Sequence, residues 1–359
     1  MNSVNASVSV IVPAYNIAPY IERCIASLLA QTVPLQIIVV NDGSTDDTFR
    51  KVRAIGHRWP HSMILVEQSN RGLSASRNAG LDRAHGEFIG FVDGDDWVEP
   101  DMYSTLVRAA REGGGDVVIC NGEMVDHHTL ATTPFHDEER FAELATRQMK
   151  PFDARTVPDA FRLDTSACKR LYRRSLLQQL DFRFAEGFLF EDILAHYQFL
   201  MSSAKIQLLN RKFYKYRINR PGRLTDRRDE RLLTVFEIMK LSTRTLTQNN
   251  ASDEIWACFI WFQSWVLRWL TSQVDLSHQD EFVRGVVSLG RQFPRTGIIE
   301  FQHKFHDDQV AQLAVAMQIF GWKRAFAKFA ANRLSDSDRR TVARAGRLRK
   351  LAPCLGRWS

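Results

Sequence analysis

Two aspartates separated by one glycine follow a short apolar run. The run EFIGFV (residues 87–92) is typical of a buried strand, and Asp93 and Asp95 come directly after it. Carboxylate oxygens are the ligands that hard divalent cations prefer, and such sites leave positions open for phosphate oxygens. The spacing alone carries little weight, because Asp336 and Asp338 repeat it in a polar segment that follows no strand. The strand context predicts a site for Mn²⁺ or Mg²⁺ at Asp93 and Asp95.

A second acidic pair, Glu191 and Asp192, follows an apolar triplet and opens a predicted helix. A carboxylate placed there can act as a general base that accepts a proton from an attacking hydroxyl. The alternative is that both acids merely interact favourably with the positive end of the helix dipole.

A third acid, Asp42, lies in the turn Asn-Asp-Gly-Ser after the predicted strand 35–40. Asp42 can accept a hydrogen bond from a base N–H, or the turn can simply cap a helix that starts near Thr45. The chain has neither GxGxxG after its first strand nor GxxxxGK[S/T]. These absences argue against a dinucleotide-binding fold and a P-loop NTPase.

The elements that must position these acids alternate along the first 120 residues. Predicted strands cover residues 8–12, 35–40, 62–67, 87–92 and 116–120, and predicted helices cover residues 20–30, 45–57, 73–84 and 100–112. Apolar runs separated by helices indicate βαβ units and a mostly parallel sheet. Such sheets bind ligands outside the carboxyl ends of their strands, so the acidic motifs are expected at one edge.

The rest of the chain is less regular. Residues 121–165 are predicted as loop with one short helix, residues 166–180 and 191–202 as helices, and residues 206–209 and 213–216 as a final strand pair. Helical periodicity dominates from residue 226 onward. We therefore predict a catalytic domain over 1–225, a helical domain over 226–332 and a basic tail over 333–359.

Five segments, VSVIVPAYN, VVNDGSTDDT, NRGLSASRNAGL, GEFIGFVDGDDWVEPDM and FLFEDI, together resemble family 2 glycosyltransferases over residues 8–225. The resemblance is to bacterial enzymes that build exopolysaccharide, capsule or lipopolysaccharide. It implies a GT-A fold, which is α/β and Rossmann-like with a mostly parallel sheet, and an inverting, metal-dependent transfer. It also implies a role for each matching residue: Pro13, Tyr15 and Asp42 in the nucleotide pocket, Arg77 on the nucleotide, Asp93 near the ribose or a metal-bound water, Asp95 as main metal ligand, Asp192 as base and Glu191 beside the acceptor.

Cations are also expected around the donor and acceptor. Lys169 is assigned to the acceptor site. Lys169 and Arg170 are also candidates for contact with the diphosphate. Arg220 and Arg223, on the loop NRPGRLT, are assigned to the diphosphate. Some relatives place a metal-binding histidine near this loop, but residues 198–225 contain none, so the sequence identifies no third metal ligand.

The charge is concentrated at one end of the chain. The formal net charge is +7, and residues 321–359 contain eleven Lys or Arg against two acids, so the remaining residues sum to −2. A nearly neutral body argues against a nucleic-acid partner. The basic tail fits an anionic membrane surface instead. With no secretory signal, no apolar stretch long enough to span a bilayer and only scattered cysteines, the chain is expected in the cytoplasm, peripheral at the inner face of the membrane.

The predicted function is inverting transfer of a sugar, with a UDP-sugar as the expected donor, to a saccharide or polyprenyl-linked saccharide. One alternative is a nucleotidyltransferase of sugar-nucleotide synthesis, but PAYNIAPY lacks the Gly-rich, basic loop of that class. The other alternative is a non-catalytic nucleotide-binding scaffold of a membrane complex, which the joint presence of Asp93, Asp95 and Asp192 disfavours.

Overall fold

The computed structural model describes residues 6–202, 204–223 and 229–305. By its internal contacts the chain divides into two compact units, Met1–Arg223 and Leu224–Ser359.

The first unit is built from ten strands and seven helices within its described residues. The strands are β1 (Val8–Ala14), β2 (Leu35–Asp42), β3 (Met63–Gln68), β4 (Phe88–Phe91), β5 (Trp97–Val98), β6 (Val117–Asp126), β7 (Thr132–Pro134), β8 (Phe152–Asp153), β9 (Arg170–Arg173) and β10 (Lys205–Ile218). The helices are α1 (Ile21–Leu29), α2 (Thr48–Arg58), α3 (Leu73–Leu81), α4 (Met102–Gly113), α5 (Glu138–Arg147), α6 (Arg174–Gln179) and α7 (Glu191–Met201).

These strands form one sheet in the order β3-β2-β1-β4-β9-β6-β10-β5, with β7 beside β6 and β8 beside β10. The neighbours β3, β2, β1 and β4 are parallel, as are β6 and β10. Strands β1 and β2 are rich in Val and Ile and are buried along nearly their whole length, as expected when helices cover both faces. The predicted mostly parallel α/β fold with a helical C-terminal region is confirmed.

The predicted helix over residues 166–180 is wrong in its first half. Residues Arg170–Arg173 form β9, which runs antiparallel between β4 and β6, and only α6 is α-helical. The side chains of Leu171 and Tyr172 are buried in this position. A four-residue strand beside a short helix gives no clear period, and for that reason its neighbours in the sheet decide its conformation.

Two further predictions need correction. The expected final strand pair is one 14-residue strand, β10, whose pairing with β6 shifts register between Leu209 and Tyr214. The irregularity falls on the polar residues 210–212, which interrupt the apolar alternation and made the strand look like two. The segment 121–165 is also more ordered than a loop, because β6 continues to Asp126 and is followed by β7, α5 and β8.

In its described residues the second unit is helical. Its α-helices are α8 (Val235–Gln248), α9 (Asp253–Leu270), α10 (Gln279–Gly290) and α11 (Arg295–Lys304). Ser252 caps α9, and the aromatic residues Trp256, Phe259 and Trp261 of that helix are buried. A Cβ on Gly297 of α11 would lie 2.5 Å from Cβ of Trp256, so glycine permits the close approach of these two helices.

No helix in the described part of the chain combines the length and apolar character needed to cross a bilayer. The predicted basic tail 333–359 and the basic, apolar stretch 323–329 lie outside the described residues.

Candidate active site

The acidic motifs meet at the edge where β1, β2 and β4 end. Asp42 is the last residue of β2, and Asp93 lies two residues after β4. The Thr45 amide donates a hydrogen bond to Oδ1 of Asn16 at 2.8 Å. Because Asn16 lies just after β1, this bond joins the end of β1 to the turn after β2. Pro13 lies inside β1, while the Tyr15 side chain next to it is 46% exposed at this edge.

The carboxylate of Asp42 is buried and holds the loop before α3. Its Oδ1 accepts Gln68 Nε2 at 2.7 Å and the amide of Arg71 at 2.9 Å, and its Oδ2 accepts the amide of Gly72 at 2.8 Å. The close approach requires a glycine at position 43, which has φ +70° and whose added Cβ would lie 2.9 Å from the Asn70 nitrogen.

The turn after β2 does not cap a helix at Thr45. Helix α2 begins at Thr48, and Asp46, not Asp42, accepts the amide of Thr48 at 2.9 Å. This interpretation of the turn was therefore wrong. The contact of Asp42 with a nucleobase stays a prediction.

Each aspartate of the Asp93–Asp95 pair has an arginine partner. Arg77 Nη2 donates to Asp93 Oδ1 at 3.1 Å, and Arg220 Nε donates to Asp95 Oδ2. Burial, followed by the charge of Asp93, raises the pKa of Asp95, while Arg220 opposes the shift.

Asp96, to which the sequence motifs assigned no role, joins the turn after β4 to β10. Its carboxylate accepts the Tyr214 hydroxyl at 2.6 Å and the Arg217 amide at 2.7 Å, and the side chain is fully buried. Arg217 Nε also donates to the Asp95 carbonyl at 2.9 Å. Burial, followed by the charges of Asp95 and Asp93, raises the pKa of Asp96 well above its usual value. In the sequence, the only sign of a role for Asp96 is that it directly follows Asp95 as a third acid. This sign does not reveal that its partners lie on β10.

The guanidinium of Arg77 joins the two acidic motifs. It is 1% exposed, and besides Asp93 it donates from Nη1 to Glu191 Oε1 at 2.7 Å and to Asp192 Oδ1 at 2.6 Å. Burial alone lowers the pKa of Arg77, but the carboxylates of Asp192 and Asp93 outweigh it and raise that pKa well above its usual value. The structure thus gives Arg77 three carboxylate partners, and its contact with the nucleotide stays a prediction.

Asp192 is held from two sides and is still partly open to solvent. Arg77 binds Oδ1, the amide of Ala167 donates to Oδ2 at 3.2 Å, and the side chain is 21% exposed. Phe190 has φ +66° and turns the chain into α7, so that both acids point back towards Arg77. Glu191 is buried, and its burial and the charge of Asp192 raise its pKa to about 7 against the pull of Arg77.

The predicted cations fall into two groups. Lys169 Nζ lies 3.1 Å from Asp164 Oδ1 and 3.8 Å from the Phe135 ring centre, and Arg170 Nη2 lies 2.6 Å from His196 Nδ1. Both residues are 1% exposed and have internal partners, and their contacts with acceptor or diphosphate stay predictions. Arg220 instead reaches Asp95, and Arg223 Nη2 donates to the Tyr216 hydroxyl at 3.0 Å.

Asp93 and Asp95 supply carboxylate oxygens, which are the kind of ligand that magnesium and manganese ions prefer. Across residues 6–202, 204–223 and 229–305, no three or more carboxylate, thiol or imidazole groups converge as a metal cage. Mg²⁺ commonly binds through one or two carboxylates together with phosphate oxygens and water. The donor set is therefore sufficient only when a phosphate ligand is present.

Known proteins resemble this chain in sequence. Residues 9–181 match Glycosyl transferase family 2. Glycosyltransferase GlyG of Streptococcus pneumoniae is 31% identical over 218 residues, which cover 58% of this chain and 70% of GlyG. The uncharacterized glycosyltransferase YibD of Escherichia coli is 32% identical over 224 residues, or 60% of this chain. The match spans 62% of YibD, less than two thirds of its length.

Solved structures share the fold. Staphylococcus aureus TarS 1–349 with UDP-GlcNAc superposes with a TM-score of 0.67 at 19% identity, over 95% of this chain and 92% of that one. The mannosyltransferase PcManGT of Pyrobaculum calidifontis, in complex with GDP-Man and Mn²⁺, gives 0.53 at 17% identity, over 93% and 88%. At these identities the likeness shows the fold alone, which is GT-A.

Proposed function

Because this chain belongs to glycosyl transferase family 2, we propose that it transfers a sugar from a nucleoside-diphosphate donor to an acceptor hydroxyl with inversion at the anomeric carbon. The observation that carries the proposal is the contact set of Arg77. One guanidinium binds Asp93, from the motif assigned to the donor, and Asp192, the assigned base. This arrangement supports the proposal that a donor site and a base lie within reach of one substrate pair.

Asp192 is the general base in this proposal. It accepts the proton of the acceptor hydroxyl while the hydroxyl oxygen forms a bond to the anomeric carbon and the bond from that carbon to the diphosphate breaks. Two donors, Arg77 and the Ala167 amide, fix the carboxylate, and its remaining exposed face is available to the acceptor. An aligned base of this kind lowers the entropic part of the barrier.

The leaving diphosphate needs positive charge nearby. When bound, a divalent cation at Asp93 and Asp95 supplies electrostatic stabilisation of the phosphate oxygens. Arg220 lies against Asp95, so its guanidinium is close enough to meet a diphosphate at the same place. We assign Arg220 to the diphosphate on this ground, and Arg223 follows it on the same loop.

The nucleotide is proposed to bind beside Pro13, Tyr15 and Asp42. The exposed Tyr15 ring offers a stacking surface next to the buried end of β1. TarS was solved with UDP-GlcNAc and PcManGT with GDP-Man. We propose a UDP-sugar as the donor and keep a GDP-sugar as the comparison in the assay.

The acceptor is proposed to be a saccharide or a polyprenyl-linked saccharide of a cell-surface polysaccharide. The net charge of +9 over residues 321–359 would bring the enzyme to an anionic membrane surface. We place the protein on the cytoplasmic side of the membrane, where nucleotide sugars are made, as part of the same proposal.

A panel of UDP- and GDP-sugars, assayed for release of the nucleoside diphosphate with Mn²⁺, with Mg²⁺ and with EDTA, tests this function. The proposal expects release from one donor class, and loss of that release in EDTA. Binding of UDP without release from any donor, with or without added saccharide acceptors, would favour the non-catalytic scaffold. Formation of a nucleotide sugar from a sugar phosphate and UTP would favour the nucleotidyltransferase.

A further inference from the structure

Helix α3 contacts the segment that leads to the base at two points. Arg77 binds Glu191 and Asp192 at the end of the segment, and the next residue, Asn78, binds its beginning. Asn78 Nδ2 donates to the Phe184 carbonyl at 3.0 Å, and the Phe184 amide donates to Asn78 Oδ1 at 2.9 Å. Two consecutive residues of one helix thus hold both ends of residues 184–192.

The same amide also reaches an acid further along the segment. Asn78 Nδ2 lies 3.1 Å from Glu186 Oε1, and Glu186 Oε2 accepts Arg71 Nη2 at 2.9 Å. The Arg71 amide in turn donates to Asp42. We call Asn78 with its bonds to Phe184 and Glu186 the α3 clamp. The clamp connects the segment before the base to the loop that Asp42 holds.

Polar side chains line much of the surface between α3 and the start of the segment, among them Arg71, Asp82 and Glu186. A cavity of about 330 Å³ lies between α3 and the segment, and the small residues Ala75 and Ala79 contribute to its wall on the helix side. The Phe184 ring is the exception, because it packs against Phe91 and Phe182 at centroid distances of 5.2 and 5.0 Å. The ring therefore fixes where the segment docks, and the polar bonds of Asn78 fix how its backbone leaves Phe184.

The path from the clamp to the base is short and contains two left-handed residues. Gly187 has φ +86° and Phe190 has φ +66°. A change in backbone direction at Phe184 is carried over these few residues to the start of α7, where Asp192 must meet Arg77 and Ala167. A displacement of about 1 Å at a reacting group can cost on the order of 100-fold in rate.

We propose that Asn78 is a positioning residue for Asp192 and acts through the backbone of Phe184. This inference rests on the proposed function for the identity of the base. The hydrogen bonds of Asn78 go to Phe184 and Glu186, and Asn78 is not among the residues proposed to bind the nucleotide, so it should act on turnover and leave nucleotide binding unchanged.

Two substitutions at this position separate the bonds. Asn78→Ala removes all three, and Asn78→Asp keeps an acceptor for the Phe184 amide but removes both donated bonds and adds a charge beside Glu186. Arg183→Ala is the matched control, because Arg183 directly precedes the segment and lines the same cavity, but its carboxylate partner is the exposed Asp82 at 2.7 Å.

We expect kcat to fall by about 10- to 100-fold in both Asn78 variants, with the Kd for UDP within about twofold of wild type by calorimetry. Hydrogen–deuterium exchange of peptides covering residues 184–192 should become faster in both. Arg183→Ala should change none of these quantities. Phe184 keeps its ring contacts in every variant, so the proteins are expected to fold, and circular dichroism checks this.

Three results would overturn the proposal: kcat in Asn78→Ala within twofold of the Arg183→Ala control, UDP affinity lost in parallel with kcat, or unchanged exchange over residues 184–192. The exchange measurement needs no substrate. If the wild-type protein turned over no donor, the proposed function would fail, and unchanged exchange would still show separately that the clamp does not order the segment.

Discussion

At the scale of single residues, the site has three carboxylates around one buried guanidinium. Arg77 binds Asp93, Glu191 and Asp192, and the Arg77 side chain is almost fully buried. A planar guanidinium can donate several hydrogen bonds in fixed directions, whereas an ammonium cannot satisfy the same geometry. The charge balance of the site and the orientation of the proposed base, Asp192, therefore depend on the same side chain.

Arg77→Lys should lose both stability and activity. Breaking a buried, hydrogen-bonded ion network typically costs about 3–5 kcal/mol, and the misplaced base should lower kcat by roughly 100-fold. Urea unfolding and nucleotide release measure the two effects. The exposed pair of Arg183 with Asp82 supplies the control, since Arg183→Lys should change stability by less than about 1 kcal/mol. Equal behaviour of the two variants would contradict this role for Arg77.

The buried Glu191 predicts a pH dependence of stability. Its pKa is raised from 4.5 to about 7 in the folded protein, so the folded state binds the proton more tightly than the unfolded state. Wild type should therefore lose stability as the pH rises from about 4.5 to about 7, and Glu191→Gln should not share this loss.

We expect the free energy of unfolding of Glu191→Gln, relative to wild type, to rise by roughly 1–3 kcal/mol between pH 5 and pH 8. Urea titrations at both pH values measure the difference. A variant whose stability ran parallel to wild type over this range would show that Glu191 is ionised throughout.

At the scale of elements, the turn after β4 packs closely against β1 and the residues before α1. A Cβ on Gly94 would lie 2.3 Å from Ile17 Cδ1 and 2.9 Å from the Pro13 carbonyl. The glycine between the two aspartates is therefore required by packing, because a side chain there would push Asp93 and Asp95 away from the end of β1.

Gly94→Ala should weaken metal-dependent UDP binding by at least about tenfold in calorimetry, because both carboxylates move. Gly56→Ala is the control, since Gly56 lies in α2 and an added Cβ there would have no neighbour within 4 Å outside the helix. That variant should bind UDP normally and gain up to about 1 kcal/mol in stability. Normal UDP binding by Gly94→Ala would show that the packing around Gly94 does not position Asp93 and Asp95 for binding.

The sequence predicted those elements whose local pattern is unambiguous. Strands β1, β2 and β4 are apolar runs buried on both faces, so their positions and the edge where they end could be inferred. Strand β9 could not, because four residues with a buried Leu-Tyr pair fit a helix equally well. The role of Asp96 could not be predicted either, because its partners lie on β10. The residues at the register shift made that strand look like two strands in the sequence.

The roles of single residues divide in the same way, into those that local sequence predicts and those that depend on distant contacts. The carboxylates Asp93, Asp95 and Asp192 were chosen from local context, and the structure brings Asp93 and Asp192 to one guanidinium. The contacts of Lys169 with the Phe135 ring and of Arg170 with His196 join segments that are distant along the chain, which spacing in the sequence does not reveal.

At the scale of the whole molecule, the charge is divided between a slightly acidic body and a strongly basic end. Each Lys or Arg near an anionic bilayer contributes about 1 kcal/mol of attraction, so the end of the chain would suffice for peripheral binding. Removal of residues 333–359 should abolish sedimentation with vesicles containing phosphatidylserine. Neutral phosphatidylcholine vesicles serve as the control, and unchanged sedimentation of the shortened chain would contradict membrane docking by this segment.

The central claim is that Asp192 is the base of a sugar transfer whose donor binds at Asp93 and Asp95. The most direct test measures UDP affinity and the rate of nucleotide release by Asp192→Asn with the donor that wild type uses. We predict UDP affinity within about twofold of wild type and a rate lowered by about 100- to 10,000-fold, as expected for loss of a general base. An Asp192→Asn protein that binds UDP and turns over at the wild-type rate would contradict the account.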